Sequence, residues 1–148
     1  EISAHVFRLA GIYGPDRSSL SRLKSDLKKR IDYPGHLFSR IHVDDIAQTI
    51  LASLNHPNPG QIYNLSDDEP VEQQVVEAYA ASLLGIDPPP LVAFNEAVKD
   101  MSPIAQTFWQ DNRRIDDSKI KNEFGIKLIY PSYREGLKAI HQSTENTG

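Results

Sequence analysis

The stretch AHVFRLAGIY, residues 4–13, decides the fold because it is apolar at nearly every position except Arg8. An apolar run with aromatic and β-branched members indicates a strand that is buried on both faces, as in a parallel sheet. Gly14 and Pro15 end the run. Such a strand needs neighbours on both edges and helices on both faces, and we therefore predict an α/β fold.

A serine cap predicts the first helix after this strand. Ser18 or Ser19 can accept a hydrogen bond from the first helical turn. The apolar residues that follow recur at helical spacing and would lie on one stripe. That stripe is formed by Leu20, Leu23, Leu27 and Ile31.

Two further strand–helix units follow, with strands expected at residues 37–43 and 61–65. The first leads into a helix that continues to about residue 55, and Asp44 is its expected N-cap. The second leads into acidic residues 67–69, which favour a helix start electrostatically. Pro70 is the expected first residue of that helix.

The rest of the chain is predicted to be mainly helical. Gly85 is the expected stop of the helix that begins at Pro70, and residues 95–109 are expected to be helical in pieces with a break near Ser102 and Pro103. A short helix is expected to be capped by Asp116 and to end at Gly125. A capping box from Ser132 to Glu135 predicts a last helix through His141. We predict one unit of 148 residues. Residues 1–66 are expected to hold the final strands and crossover helices. Residues 67–142 are expected to form a mainly helical lobe, and residues 143–148 a frayed tail.

Composition and charge exclude several functional classes. A net charge of −4 and a pI of about 5.7 disfavour a nucleic-acid-binding or membrane-binding surface. The chain has no cysteine, and thus neither disulfides nor a thiolate nucleophile. No apolar run approaches the ~20 residues of a membrane span, and the opening residues lack the basic region of a signal peptide. We expect a cytoplasmic protein.

Four blocks of sequence carry a resemblance. They are FRLAGIYGPDR (7–17), RIHVDDIAQTI (40–50), GQIYNLSDDEPV (60–71) and DDSKIKNEFGIKLIYPSYREGL (116–137). In this order they resemble the C-terminal half of the extended and atypical short-chain dehydrogenase/reductases, the NAD-dependent epimerase/dehydratase family. The resemblance implies the last strands of a Rossmann-type parallel sheet, residues 4–13 as the sixth and 61–65 as the seventh, with a mostly helical substrate lobe.

The features with which that family binds and uses its cofactor are missing from this sequence. The eight glycines contain no Gly-x-Gly, and no tyrosine has a lysine four residues later. By resemblance, an intact parent would use NAD or NADP on a small carbonyl or sugar-like substrate. This chain is expected to bind neither cofactor tightly and to be inactive alone.

The expected partners are a small-molecule substrate and either a missing N-terminal half or a second copy that pairs with the N-terminal strand. The alternative from a different class is a non-enzymatic α/β interaction module or pseudoenzyme.

The resemblance assigns the cofactor-side residues. Gly11, Ile12 and Tyr13 lie where a parallel strand ends and would approach the nicotinamide ring. The alternative is that Gly11 only relieves crowding before the turn. Arg17, just beyond the turn, is a candidate for an anionic substrate group, or an exposed arginine that pairs with Asp16 or water.

Arg40 and His42 alternate on one face of a predicted strand and are candidates for substrate binding, although an isolated His42 is more typical of a satisfied core histidine. Nucleotide-sugar epimerases resemble this stretch but carry phosphate-binding arginines where this sequence has Phe38 and Gln106. Both departures argue against a nucleotide-sugar substrate. Asp44 with Asp45 is not an expected catalytic pair. No metal site is expected, because the spacing of residues 67–69 matches no calcium loop.

Overall fold

The computed structural model of the protein describes residues 4–110, 112 and 114–146. Its strands are β1 (Val6–Leu9), β2 (Gly11–Tyr13), β3 (Arg30–Asp32), β4 (Arg40–His42), β5 (Ile62–Leu65) and β6 (Leu91–Ala93). Its α-helices are α1 (Ser19–Lys24), α2 (Val43–Leu54), α3 (Gln73–Leu84), α4 (Phe94–Ala97), α5 (Pro103–Thr107), α6 (Ser118–Phe124) and α7 (Tyr133–Glu145), and a 3₁₀ helix spans Val98–Asp100.

The strands form parallel pairs, as the sequence predicts, but the long N-terminal strand is divided. β1 pairs with β5, whereas β2 pairs with β4. The division falls at Ala10, whose N–H donates to the Leu65 carbonyl at 3.0 Å, while the N–H of Gly11 donates to the Ser39 carbonyl at 3.1 Å. A single strand over residues 4–13 was therefore the wrong prediction, because the segment changes its neighbour halfway along.

The first helix is shorter than predicted. Ser18 caps α1 as expected, but the helix ends at Lys24 and Asp26 adopts a left-handed φ of 81°. Ile31 therefore lies in β3, paired with Val92 of β6, and not on the helix stripe. The sequence signal failed here because this strand is defined by a distant partner and not by local spacing.

Asp44 is not the N-cap of α2. The helix begins at Val43, and His42 caps it through Nδ1, which accepts a hydrogen bond from the Asp44 N–H at 3.1 Å. The structural carboxylate is Asp45, which is fully buried. It accepts hydrogen bonds from the backbone N–H groups of Ile129 at 2.7 Å and Tyr130 at 3.0 Å, and from Gln48 at 2.6 Å.

The third long helix also begins later than predicted. α3 starts at Gln73, not Pro70, because the preceding Val71 forms an antiparallel bridge with Phe38, with N–H···O distances of 3.1 and 3.2 Å. Acidic residues 67–69 thus lie in a loop and not in a first helical turn. Gly85 ends the helix in a left-handed conformation, as predicted.

The C-terminal helix begins at the predicted capping box. The Ser132 hydroxyl accepts from the Arg134 N–H at 3.2 Å, and the Glu135 carboxylate accepts from the Ser132 N–H at 3.0 Å. α7 continues to Glu145, so residues 143–145 of the predicted frayed tail are helical. Residues 147 and 148 of that tail lie outside the described residues.

Two hydrophobic clusters hold these elements together. One joins β2, α1, α3 and α7 through Tyr13, Leu20, Val76, Ala80, Tyr133, Leu137 and Ile140. The other joins β4, β5 and α6 through Ala10, Ile41, Tyr63, Leu65, Ile120 and Phe124. The segment over residues 4–13 contributes to both clusters, because β2 belongs to the first and Ala10 to the second.

Two apolar strips are exposed. Val6 and Ile62, which are register partners on β1 and β5, are 49% and 42% exposed. On α2, Ile50, Leu51 and Leu54 are also exposed. No helix among the described residues is both long and apolar enough to cross a membrane.

We predict that Gly136→Ala destabilises the protein by about 1–3 kcal/mol through overpacking. A Cβ at this position would lie 2.1 Å from the Tyr13 hydroxyl oxygen and 2.7 Å from two ring atoms. Without the clash, alanine in a helix would instead be stabilising by roughly 0.5–1 kcal/mol. Denaturant unfolding measures the sign. Lys138→Ala, on the exposed side of α7, is the control, and Tyr13→Leu should partly rescue Gly136→Ala.

We also predict that Asp45→Asn destabilises the protein by about 1.5–3 kcal/mol, because the amide cannot accept from both backbone N–H groups as the charged carboxylate does. Asp44→Asn is the matched control. Asp44 is exposed and its side chain does not cap the helix, so its replacement should change the free energy of unfolding by less than about 0.5 kcal/mol. Equal losses at both positions would contradict this assignment.

Candidate functional site

A cavity of about 540 Å³ lies along β2, with walls from the start of β4, the loop into α1, α3 and α7. This volume is typical of a small-molecule site. Its walls mix apolar side chains such as Val76 and Leu137 with serines and arginines. A cavity of this composition can enclose an organic molecule and orient it by a few polar contacts.

The cavity brings together most of the residues predicted from sequence. Gly11, Ile12, Tyr13, Arg17 and Arg40 all lie on its wall. His42 is not among the lining residues. Gly11 has a structural reason to be glycine, because a Cβ there would lie 3.3 Å from the Ser39 carbonyl oxygen of the neighbouring segment.

Arg40 is buried and its guanidinium is largely committed to the fold. Nη1 donates to the carbonyls of Phe38 at 2.8 Å and Val71 at 3.2 Å, and Nη2 donates to Gln73 Oε1 at 2.8 Å. Burial lowers the pKa of Arg40, and the nearby Asp67 carboxylate opposes that shift. Arg40 therefore holds the segment at Phe38, before β4, against the segment at Val71 and the start of α3, and it presents positive charge at the cavity wall.

His42 has the environment of a core histidine. Its ring contacts Tyr13 edge-on at 5.0 Å and Tyr130 at 4.1 Å between centroids. Nδ1 caps α2, and burial lowers the pKa of the ring, which favours the neutral form. The buried Nε2 atom has no hydrogen-bond partner among the described residues.

Asp67 was not singled out as a site residue by the sequence, yet it is the most perturbed carboxylate near the cavity. Burial raises its pKa to about 7. Oδ1 accepts from the Glu69 N–H at 3.3 Å, whereas the buried Oδ2 has no partner among the described residues. Its position two residues after β5, at the edge where parallel strands present side chains, is the sequence signal that could have found it.

Tyr13 lies close to that carboxylate. Its hydroxyl donates to the Ser132 carbonyl at 3.4 Å. Burial raises the pKa of the phenol, and the Asp67 and Asp45 carboxylates raise it further. Tyr13 is thus a neutral phenol that positions the start of α7, and its chemistry is that of a hydrogen-bond donor.

A second buried acid, Glu77, orients an arginine of the cavity. Glu77 Oε1 accepts from Arg22 Nη1 at 2.9 Å and from Gln73 Nε2 at 3.2 Å. Burial raises the pKa of Glu77, and Arg22 opposes the shift. Since Gln73 also accepts from Arg40, one hydrogen-bonded row runs from Arg40 to Arg22. Glu77 lies among apolar residues of α3, and a charged residue in such a position is the sequence feature that could have indicated this hydrogen-bonded row.

Arg17 differs from the other two arginines. It is exposed on the cavity wall, and among the described residues its guanidinium has no hydrogen-bond or ion-pair partner, Asp16 included. Arg22 is half exposed. Because Arg22 is paired with Glu77, Arg17 is the arginine of this cavity mouth that best suits an anionic group.

We predict that Asp67→Asn removes a pH dependence of stability. Because the pKa in the folded state is near 7 and the ordinary value is 3.8, the folded protein holds the proton more tightly. The carboxyl group therefore favours folding below pH ~4, and this contribution is lost as the pH rises towards 7. The asparagine variant should be more stable than the parent at pH 8, as measured by denaturant unfolding. Asp68→Asn, at an exposed carboxylate paired with Lys121, is the control and should show no such gain.

No family model matches this chain. It is 29% identical over 129 residues to Protein YeeZ of Escherichia coli K12. This aligned stretch covers 87% of this chain and 42% of that protein. The chain therefore spans less than half the length of this curated relative.

Among solved structures, a functionally unknown conserved protein from Silicibacter pomeroyi is 51% identical, with a TM-score of 0.89 over 94% of this chain and 49% of that chain. dTDP-glucose 4,6-dehydratase from Bacillus anthracis, solved with NAD, gives a TM-score of 0.71 at 22% identity over 96% of this chain and 44% of its own. UDP-glucose 4-epimerase from Thermotoga maritima gives 0.72 at 17% identity over 99% of this chain and 47% of its own. The chain thus has an α/β fold with part of a Rossmann-type parallel sheet and a helical lobe, shared with NAD-dependent epimerases and dehydratases.

Proposed function

We propose that these residues are the C-terminal, substrate-side part of an NAD(P)-dependent epimerase-, dehydratase- or reductase-like protein. Its substrate is a small carbonyl or sugar-like molecule. The observation that carries the proposal is the convergence of Gly11, Ile12, Tyr13, Arg17 and Arg40 on one cavity of small-molecule size. The shared fold supports it, because nearly the whole chain matches about half of an NAD-containing dehydratase.

The residues fit only one end of a dinucleotide. The strand over Gly11–Tyr13 leaves room at the cavity for a planar ring, and Gly11 is exposed there. The sequence has no glycine-rich turn to hold a pyrophosphate. When bound, NAD or NADP supplies a hydride donor or acceptor, and most of its contacts are proposed to come from residues outside this chain.

The chain's own residues are proposed to bind and orient the substrate. Arg17 faces the cavity with positive charge, Arg22 lines it while paired with Glu77, and Tyr13 is a buried neutral donor beside Asp67. Phe38 lines the cavity where similar epimerases place an arginine. Gln106 is bound to the carbonyls of Val98 and Met101, as Nε2 donates to them at 3.4 and 3.1 Å. Neither position offers a phosphate ligand, which supports a substrate other than a nucleotide sugar.

The exposed apolar strips support a partner. Val6 and Ile62 present an open apolar sheet face, and Ile50, Leu51 and Leu54 present another on α2. We propose that a cofactor-binding unit covers these strips. A second copy that pairs through β1 is the alternative occupant, and β1 has β5 as its one strand neighbour in the described residues. The same strips would serve a non-enzymatic interaction module.

We predict that the purified chain binds neither NAD(H) nor NADP(H) with micromolar affinity in calorimetric titration. In contrast, the protein isolated from its natural source with every associated chain should release a dinucleotide on denaturation, identified by mass spectrometry. Tight binding to the chain alone would contradict the proposed division. A natural assembly without dinucleotide would favour the interaction module.

Matched variants test where the cofactor-binding unit attaches. Ile62→Lys, on the open face of the sheet, should reduce the dinucleotide recovered with the assembly. Ile129→Lys is the control, because Ile129 is similarly exposed, at 51% against 42%, but lies outside the sheet.

A further inference from the structure

A second cavity, of about 660 Å³, adjoins the first and has a different character. The two cavities share Arg17, Arg22, Phe38 and Gln73 as lining residues. They therefore form one cleft with two compartments, and both guanidinium groups stand at the boundary between them. The first compartment is the proposed reaction site, and nothing above assigns a ligand to the second.

The outer wall of the second compartment is apolar. It is formed by Met101, Ile104, Ala105, Phe108 and Trp109, from α5 and its flanks. Ile104 is 75% and Phe108 69% exposed, which is unusual for large apolar side chains and leaves them available to a ligand.

This wall is held in place by aromatic packing. Tyr33 stacks on Phe94 with centroids 4.2 Å apart and rings 6° from parallel. Trp109 packs against this stack and meets Phe38 edge-on at 5.1 Å. The apolar surface is therefore formed before any ligand arrives, as in most small-molecule sites.

Charge is concentrated on the opposite side. Arg17 has no partner among the described residues, whereas Arg22 is held by Glu77 at 2.9 Å. Lys29 also lines this compartment, 3.4 Å from the exposed Asp100 carboxylate. Because Glu77 neutralises Arg22, the strongest site for an anion is Arg17.

We propose that the ligand of this cleft is a small amphipathic anion. Its anionic group binds Arg17 at the boundary, and its aromatic or branched aliphatic group lies in the second compartment against Ile104, Phe108 and Trp109. If the proposed function holds, this describes the substrate class. Sugar hydroxyls would need several donors and acceptors, but Met101, Ile104, Ala105, Phe108 and Trp109 offer an almost entirely apolar wall.

Trp109 is the single tryptophan of the sequence and reports on this compartment directly. The protein is titrated with 3-phenylpropionate, with the neutral 3-phenylpropanamide and with UDP-glucose, while tryptophan emission is recorded. 3-Phenylpropionate should change the emission saturably and bind roughly ten-fold more tightly than the amide, because a charge-assisted hydrogen bond is lost with the amide.

Variants locate the two halves of the ligand. Arg17→Gln should weaken 3-phenylpropionate about ten-fold and leave the amide unchanged. Ile104→Asp, at an exposed position where folding tolerates the change, should weaken both probes. Arg8→Gln is the matched control, because Arg8 is exposed on β1 and lines neither cavity. Its affinities should equal those of the parent.

Three results would overturn the proposal: no saturable response to 3-phenylpropionate, a response that Arg17→Gln leaves intact, or equal affinity for acid and amide. A Trp109 response to UDP-glucose alone would overturn it too. That result would leave the proposed enzyme class standing but would contradict the argument against a nucleotide-sugar substrate. Conversely, binding of 3-phenylpropionate as described, in a protein whose natural assembly holds no dinucleotide, would support the amphipathic site and reject the proposed enzyme class.

Discussion

The change of strand partner at Ala10 is the constraint on which the cavity depends. Before it, β1 runs beside β5; after it, β2 runs beside β4. At this change of partner, two successive backbone N–H groups donate to carbonyls on different segments: Ala10 to Leu65 and Gly11 to Ser39. The change also requires a close approach at Gly11. β2 and the start of β4 contribute to the wall of the first cavity together with α3 and α7, whereas β1 and β5 do not line it.

Three buried carboxylates around this divergence are satisfied to different degrees. Asp45 accepts from two backbone N–H groups and one amide, so its burial is compensated and it fixes the segment before α7. Glu77 is compensated by Arg22 and Gln73 through one oxygen. Asp67 has a single long hydrogen bond and an unpartnered oxygen, which explains why burial raises its pKa to about 7. Uncompensated burial is typical of groups whose role is chemical and not structural.

Local signals in the sequence predicted the elements that depend on local chemistry. The Ser18 cap, the left-handed end at Gly85 and the capping box at Ser132 and Glu135 were all confirmed. The parallel α/β class was confirmed as well, because a long apolar run in the sequence has few alternatives, even though it forms two strands. The sequence, read with the resemblance, singled out six site residues; five of them line one cavity and His42 does not, and their roles stay predictions.

Features that depend on distant contacts were missed. β3 and β6 are three-residue strands that exist only as partners of each other, so neither segment shows a strand pattern by itself. The cap of α2 was assigned to Asp44 because aspartate is a frequent cap, yet the buried His42 ring provides it. Asp67 and Glu77 are not predicted as site residues by the sequence. Asp67 follows an apolar strand and Glu77 lies within an apolar helix, and both side chains are buried only by tertiary packing.

The distribution of exposed apolar surface distinguishes the two proposed binding surfaces of this molecule. The strips on β1, β5 and α2 are open sheet and helix faces with exposed apolar side chains, and they suit a large protein surface. The cleft is concave, and its apolar wall faces arginines, so it suits a small molecule of mixed character. Every wall of the cleft comes from this chain, whereas the glycine-rich turn of a dinucleotide site does not occur in it. Substrate selection and cofactor binding would then be separable properties. A variant such as Arg17→Gln should change which small molecules bind and leave the partner surface untouched.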